Sequence, residues 1–312
     1  MADPILDVCG ISKSFGSFQA VENVSFQVAP GQVMGFIGPN GAGKTTTMRI
    51  ISTLDLPDEG DVRIAGHSIL DEPRSVRHRL GFMPDAFGAY SSTTVEDYLD
   101  FFARAYGLRG KRRLQAVREV MAFTGLEPLM GKLTTALSKG MKQRMCLAKT
   151  LLHDPMLLIL DEPASGLDPR ARVELRELVK ALAEMGKGVL ISSHILTELS
   201  EICDSICVIE AGQLRASGTV KSIVDQMRPH AEIYVSVLGD LEDLRRKLHE
   251  IPGIERVRDE RSGLIFDFAG GPDELSMLLG DLVRAGLRPI EFAPEQVDLE
   301  DVFLSLTEGK LQ

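Results

Sequence analysis

A chain of 312 residues, 44% hydrophobic and 26% charged, is long and apolar enough to bury a sizeable core in about two domains. A net charge of −10 argues against a protein that lives on nucleic acid, and apolar runs such as "MLLIL", Met156–Leu160, are far too short to span a bilayer. The start, "MADPILDVCG", lacks a basic segment followed by an apolar one, and the four cysteines lack zinc spacing, so a soluble cytoplasmic protein in a reducing compartment is expected.

Along the first two thirds of the chain, short apolar runs alternate with helical stretches. "VMGFIG" (Val33–Gly38), "MLLILD" (Met156–Asp161), "GVLISS" (Gly188–Ser193) and "ICVIE" (Ile206–Glu210) read as buried strands of a mainly parallel sheet. Helices are predicted at about Lys44–Leu54, Ser138–Leu152, Pro169–Met185 and Ile195–Ile202. A helical insertion occupies about residues 94–150; its part from Thr94 to Leu133 includes "VEDYLDFFARAYG" and the basic "RGKRRLQAVREVMAFTG", read as a solvated helix face. Cys203 and Cys207 lie one helical turn apart, and the reading is of buried apolar thiols where a helix passes into a strand.

After "ASGT", Ala216–Thr219, the pattern changes. A strand "AEIYVSVLG", a helix "DLEDLRRKLHEI", strands "GIERVRDE" and "GLIFDFAG" around the turn Arg261–Gly263, a helix "DELSMLLGDLVRAG" and a strand "LRPIEFAPE" follow in turn. This β-α-β-β-α-β order is the ferredoxin-like pattern. The expected division is therefore an α/β domain over residues 1–220 and a small α+β domain over 221–312. Nothing catalytic shows in the second: its Gly270–Gly271 pair precedes Pro272 and reads as a turn. There is no internal repeat and no low-complexity segment.

The chemistry sits in the first part. Gly38, Pro39, Asn40, Gly41, Ala42, Gly43, Lys44 and Thr45 fit G-x-x-x-x-G-K-[ST] between a predicted strand and a predicted helix, the context that separates this phosphate-binding loop from a Gly-rich structural turn. Backbone N–H groups converge there on a β-phosphate at the helix's positive end. Lys44 would reach the β- and γ-phosphates, Thr45 would ligate Mg²⁺, and Thr46 would donate to the α-phosphate. "LLILDEP" puts Asp161 at the carboxyl edge of the sheet, beside the first βα turn, where it can hold a Mg²⁺ shell through water. Glu162 can orient or deprotonate an attacking water. "SSH" ends the next strand, so His194 is either a γ-phosphate contact or a structural histidine. Phe15, in "KSFG", is either a ring that stacks on adenine or a core residue.

A second helix start, "ALSKGMKQR" at Ala136–Arg144, also looks built for an anion. Ser138 is a good N-cap, Gly140 permits close approach, and Lys139 and Lys142 add charge at the positive end.

The ordered set "SFG", "GPNGAGKTT", "LSKGM", "LILDEP", "SGLD" and "SSH", over about residues 5–220, resembles the nucleotide-binding subunits of ATP-binding cassette (ABC) transporters, and among them the ATPases paired with ABC-2-type permeases. The resemblance implies a P-loop NTPase core with an N-terminal antiparallel β part, ATP and Mg²⁺ as ligands, and a place on the inner face of the cell membrane beside separate permease subunits. It also explains the second helix start. In that family two cassettes stack head to tail, and the signature helix of one closes over the γ-phosphate held by the other. Ser138, Lys139, Gly140 and Met141 would then meet ATP held by a second copy or a related subunit. A soluble cassette ATPase acting on ribosomes or DNA is the competing reading; it usually carries two cassettes or a long coiled coil, and neither is visible.

Two departures stand out. The family usually has Gly where Lys139 stands and Gln where Met141 stands. It also places a glutamine after Pro84, where this chain has Asp85. Asp85 can accept from metal-bound water or cap the turn before "FGAY".

Overall fold

A computed structural model describes residues 3–85, 88, 92–193, 199–219, 222–223 and 231–295. Contacts divide the described residues into two compact units, one ending at Thr219 and the other running from Ser222 to Glu295.

The first unit contains two sheets. Strands β1 (Leu6–Phe15), β2 (Phe18–Val28), β4 (Glu59–Ile64) and β5 (His67–Ser68) form an antiparallel sheet in the order β2-β1-β4-β5. The other sheet, in the order β10-β9-β3-β8-β7-β6, uses β3 (Val33–Ile37), β6 (Leu80–Met83), β7 (Leu157–Leu160), β8 (Gly188–Ser192), β9 (Ser205–Glu210) and β10 (Gln213–Thr219). All its pairs are parallel except β9–β10. Every residue of β3, β7 and β8 is buried, which is why these strands read as continuous apolar runs rather than alternating ones.

One core joins the two sheets. It takes Leu6, Val24 and Ile64 from the first, Phe36, Ile159 and Leu190 from the second, and Met48, Ile50 and Ile51 from helix α1 (Lys44–Ile51). Phe26 stacks on Phe36 across it, with ring centroids 5.5 Å apart. Helix α2 (Pro73–Arg79) leads into β6. The insertion supplies α3 (Val95–Ala105), N-capped by Thr94, and the basic α4 (Gly110–Phe123). Helix α5 (Lys139–Leu151) is capped by Ser138, and α6 (Pro169–Glu184) by Asp168 with Pro169 in its first turn.

Several expectations need adjusting. Helix α1 ends at Ile51 rather than Leu54, because Thr53 takes a left-handed backbone (φ 58°) that turns the chain out of the helix. Of the helix expected at Ile195–Ile202, residues 195–198 lie outside the described residues; Leu199 and Ser200 are helical. Cys203 and Cys207 do not share a helix, since Cys207 is in β9. Burial raises both thiols, Cys207 to about 12; Cys207 is buried as the sequence suggested, whereas Cys203 is half-buried. Asp161 does not stand directly beside the first βα turn, because β8 is inserted between β3 and β7.

The second unit has the β-α-β-β-α-β order read from the sequence: β11 (Ala231–Val237), α7 (Leu241–His249), β12 (Ile254–Glu260), β13 (Gly263–Phe268), α8 (Pro272–Arg284) and β14 (Pro289–Pro294). Its sheet is antiparallel, in the order β12-β13-β11-β14. Leu244, Leu248, Leu278 and Leu282 of the helices pack on Ile233, Val235, Leu264 and Phe266, giving this unit its own core. No described helix of the chain is long and apolar enough to cross a membrane.

Candidate functional site

β3 ends in a loop of strict shape. A Cβ on Gly38 would lie 2.4 Å from the Ile209 carbonyl oxygen, and one on Gly43 (φ 104°) 2.5 Å from that of Ala20, so both positions require glycine. Gly43 is also the N-cap of α1 and supplies no side-chain cap, and the first turn holds no acidic residue. This helix start therefore presents an uncompensated positive end to any anion.

Lys44 is buried and folds back over the loop. Its Nζ donates to the carbonyl oxygens of Gly38 (2.6 Å) and Pro39 (3.1 Å). Burial lowers its affinity for the proton, while the carboxylates of Glu162 and Asp161 pull the other way. Thr45 is exposed and Thr46 half-buried in the same turn; Pro39 is half-buried, and Asn40 and Gly41 are exposed at the loop's tip. Ala42 is buried and donates its N–H to the Pro39 carbonyl at 3.2 Å.

Across β8, the end of β7 delivers the acids. Asp161 is 7% exposed, and its Oδ1 accepts from Ser192 Oγ at 2.7 Å. The same hydroxyl oxygen accepts from the Glu162 N–H at 2.9 Å. Burial raises the Asp161 carboxyl above the usual carboxylate range; the Ser192 bond lowers it, Glu162 and Asp85 raise it further, and Lys44 lowers it. Lys44, Asp161, Glu162 and Asp85 thus act on one electrostatic neighbourhood. Glu162 itself stands at φ 50°, a left-handed conformation uncommon for a residue with a side chain.

Phe15 is not a core residue. It is 52% exposed at the end of β1, paired with Phe18, with the Lys13 ammonium 5.8 Å from its ring centroid. An exposed ring of this kind can serve as a stacking platform. His194 lies outside the described residues.

The second helix start has its own surroundings. Ser138 Oγ accepts from the Met141 N–H at 3.3 Å, closing the cap of α5. Gly140 lies against Ala171, where an added Cβ would stand 3.0 Å from the Ala171 Cβ. The Lys139 ammonium rests over Gly166 (φ 64°), only 2.4 Å from where a Cβ would be. The phosphate loop leans instead on Ala20, Ile209 and Gly212. The two helix starts therefore rest on separate parts of the unit.

The family described as "ABC transporter" matches residues 21–165, and the family "AAA domain, putative AbiEii toxin, Type IV TA system" matches residues 133–200. A Nod factor export ATP-binding protein I of Bradyrhizobium diazoefficiens is 34% identical across 100% of this chain and 99% of its own length. The chain belongs to the ABC transporter ATP-binding proteins. A namesake from Ralstonia nicotianae is 36% identical over 97% of this chain and 94% of its own. Among solved structures, an "ATP binding subunit of ABC transporter" superposes with a TM-score of 0.65 at 33% identity, covering 72% of this chain and 93% of that one. A nucleotide-free ATP-binding cassette gives 0.65 at 25% identity, over 72% and 96%.

The molecule is thus an ABC ATPase: a subunit that binds and hydrolyses ATP and works with a membrane permease. Nothing in these relationships supports the reading of a ribosome- or DNA-acting cassette. For an ABC ATPase, the residue that sequence reasoning passed over is Ser192. Its signal was present, a hydroxyl closing an apolar strand in "SSH", but its partners became visible only once β8 was found between β3 and β7.

Proposed function

We propose that this ABC ATPase energises an ABC-2-type permease as a head-to-tail dimer, each copy supplying half of each ATP site, at the inner face of the cell membrane. The observation that carries this reading is the pair of anion-competent helix starts, at Gly43 and Ser138, resting on different neighbours within one unit. The name of the relatives, Nod factor export ATP-binding protein I, supports pairing with an exporting permease.

In this reading the loop from Gly38 to Thr46 holds the phosphates of ATP, and Phe15 stacks on its base. Lys44 exchanges its bonds to the Gly38 and Pro39 carbonyls for the β- and γ-phosphates. Among the described residues no group of three or more His, Cys, Asp or Glu forms a ready metal cage. The donor set nevertheless suits Mg²⁺, which keeps waters and takes one or two carboxylates together with substrate phosphates. Thr45, Asp161 and Asp85 would hold it, and it would neutralise charge on the β- and γ-phosphates. Glu162 takes the proton of the attacking water, and His194 contacts the γ-phosphate. Ser138, Lys139, Gly140 and Met141 of the second copy close over that phosphate. Residues 221–312 act as an accessory module that supports dimerisation or controls transport.

A mixed cross-linking experiment tests the assembly. Chains carrying only Ser138→Cys are mixed with chains carrying only Asn40→Cys, and oxidation is followed by mass spectrometry. The expected product is a disulfide between the two introduced thiols, joining different chains, formed with ATP and not with ADP. Its absence at high protein concentration removes the head-to-tail arrangement.

A further inference from the structure

β7 and β8 run parallel with Leu160 level with Ile191, so the next residues along, Asp161 and Ser192, come side by side at the carboxyl edge of the sheet. Ser192 is fully buried there. A serine hydroxyl has one hydrogen to give and lone pairs to accept with. Here the hydrogen goes to Asp161 Oδ1 at 2.7 Å, and a lone pair receives the Glu162 N–H at 2.9 Å.

These two bonds fix two different things. The first holds one oxygen of the Asp161 carboxylate and leaves the second outside that bond. The other holds the peptide of Glu162 where its backbone is left-handed (φ 50°). The far side of that residue is tied as well, since its carbonyl accepts from the Ser165 N–H at 3.1 Å. Such backbone conformations persist where the surroundings over-determine them, and they cluster at sites that need preorganised groups.

We propose that Ser192 is a positioning residue for hydrolysis, one hydroxyl that locks the metal-side carboxylate of Asp161 to the backbone of the water-activating Glu162. The proposal rests on the roles given above to Asp161 and Glu162. Because one oxygen holds both, the two acids cannot move independently, and the aim of the Glu162 side chain is set by a strand that lies between it and the phosphate loop. The role is structural in means and catalytic in effect.

The discriminating pair of variants is Ser192→Thr and Ser192→Val, which match in shape and differ only in the hydroxyl. Ser192→Ala removes the hydroxyl without added bulk and serves if the valine variant does not fold. Full-length proteins are compared for phosphate release, for the KM of ATP, and for hydrogen exchange at the Glu162 amide without nucleotide.

The expected result is a fall in turnover of about 100-fold in the valine or alanine variant, with KM within about threefold, and near-original turnover in the threonine variant. The Glu162 amide should exchange at least about tenfold faster without the hydroxyl than with it. Equal turnover in the threonine and valine variants, or equal exchange of that amide, overturns the proposal. Glu162→Gln is the reference. If it hydrolyses ATP normally, the water-activating role of Glu162 fails, and the exchange comparison still decides whether the clamp exists.

Discussion

The Lys44 ammonium donates to the carbonyl oxygen of Gly38 at 2.6 Å, so the two ends of the phosphate loop are tied by the side chain that must later leave for a nucleotide. A buried cation bonded to two carbonyls is held in place, and phosphate oxygens are the stronger acceptors. Lys44→Ala should lower ATP affinity by about 100-fold, from the loss of charge-assisted bonds of about 1.5–3 kcal/mol each. Titration with a fluorescent ATP analogue measures this. Undiminished hydrolysis in the variant would remove the loop from the site.

His153 gives a pH dependence with a definite sign. Its Nε2 lies 2.9 Å from the Leu80 carbonyl, which can only accept, so Nε2 carries the hydrogen. Nδ1 is buried without a partner among the described residues, and the ring stacks on Tyr106 with centroids 4.1 Å apart. Burial lowers the His153 pKa from 6.5; the Leu80 bond raises it, His78 lowers it, Asp154 raises it and Lys187 lowers it. The unfolded chain therefore takes up this proton at a higher pH than the folded one. Stability contributed by the neutral ring is intact above about pH 6.5 and lost as pH falls toward the lowered value. Urea unfolding should show His153→Gln losing less stability than the original chain between about pH 7.5 and about pH 5.5. Equal losses would mean that this ring does not titrate on unfolding.

Much of the site was legible because its parts are contiguous in sequence. A phosphate loop is a short run of adjacent residues between a strand and a helix, and strands buried on both faces read as apolar runs. What was not legible is what depends on strand order and on neighbours distant in sequence. The insertion of β8 between β3 and β7 places Ser192, rather than the phosphate loop, beside Asp161. From sequence an isolated phenylalanine such as Phe15 is more often core than platform, and only pairing with Phe18 at the tip of a hairpin shows it 52% exposed. The extra cation Lys139 reads as an anion ligand, and only the fold shows its ammonium seated over Gly166, beyond the end of β7. The β-α-β-β-α-β order was readable because alternation and amphipathic spacing are local signals.

Asp85 follows β6 and is exposed, yet its charge is felt at Asp161. It directly precedes the helical insertion in the sequence, so Asp85→Ala should alter the stimulation of hydrolysis by the permease more than it alters ATP affinity. Reconstituted complexes, assayed with and without the permease at several ATP concentrations, separate the two effects. A large loss of affinity with normal stimulation would make Asp85 a primary metal ligand instead.

The core of the second unit is drawn from its own helices and strands, whereas the core that surrounds α1 uses only the first unit. A chain ending at Thr219 should therefore keep ATP binding within about threefold, while dimerisation or transport control changes. Calorimetric titration with ATP and sedimentation of the same preparation measure both. A folded, truncated protein that no longer binds ATP would contradict the division of labour.

The final prediction joins the two helix starts through Glu162. Glu162→Gln preserves size and hydrogen bonding but removes the basic carboxylate, so hydrolysis should fall by about 100-fold or more while ATP still binds. If uncleaved ATP is held between the loop of one chain and the cap of α5 on another, the nucleotide itself stabilises the dimer. A ligand that binds only the closed state shifts the equilibrium toward it, so the dimer should depend on ATP and vanish with ADP. Ser138 caps α5 by accepting from the Met141 N–H, and the cap is exposed, so Ser138→Arg puts bulk where the second chain's phosphate must come. Light scattering after size exclusion, at high protein concentration, should find a dimer for Glu162→Gln with ATP and a monomer for the double variant. Normal hydrolysis by Glu162→Gln rejects the base; an ATP-bound dimer that survives Ser138→Arg unchanged rejects α5 as the clamp between chains.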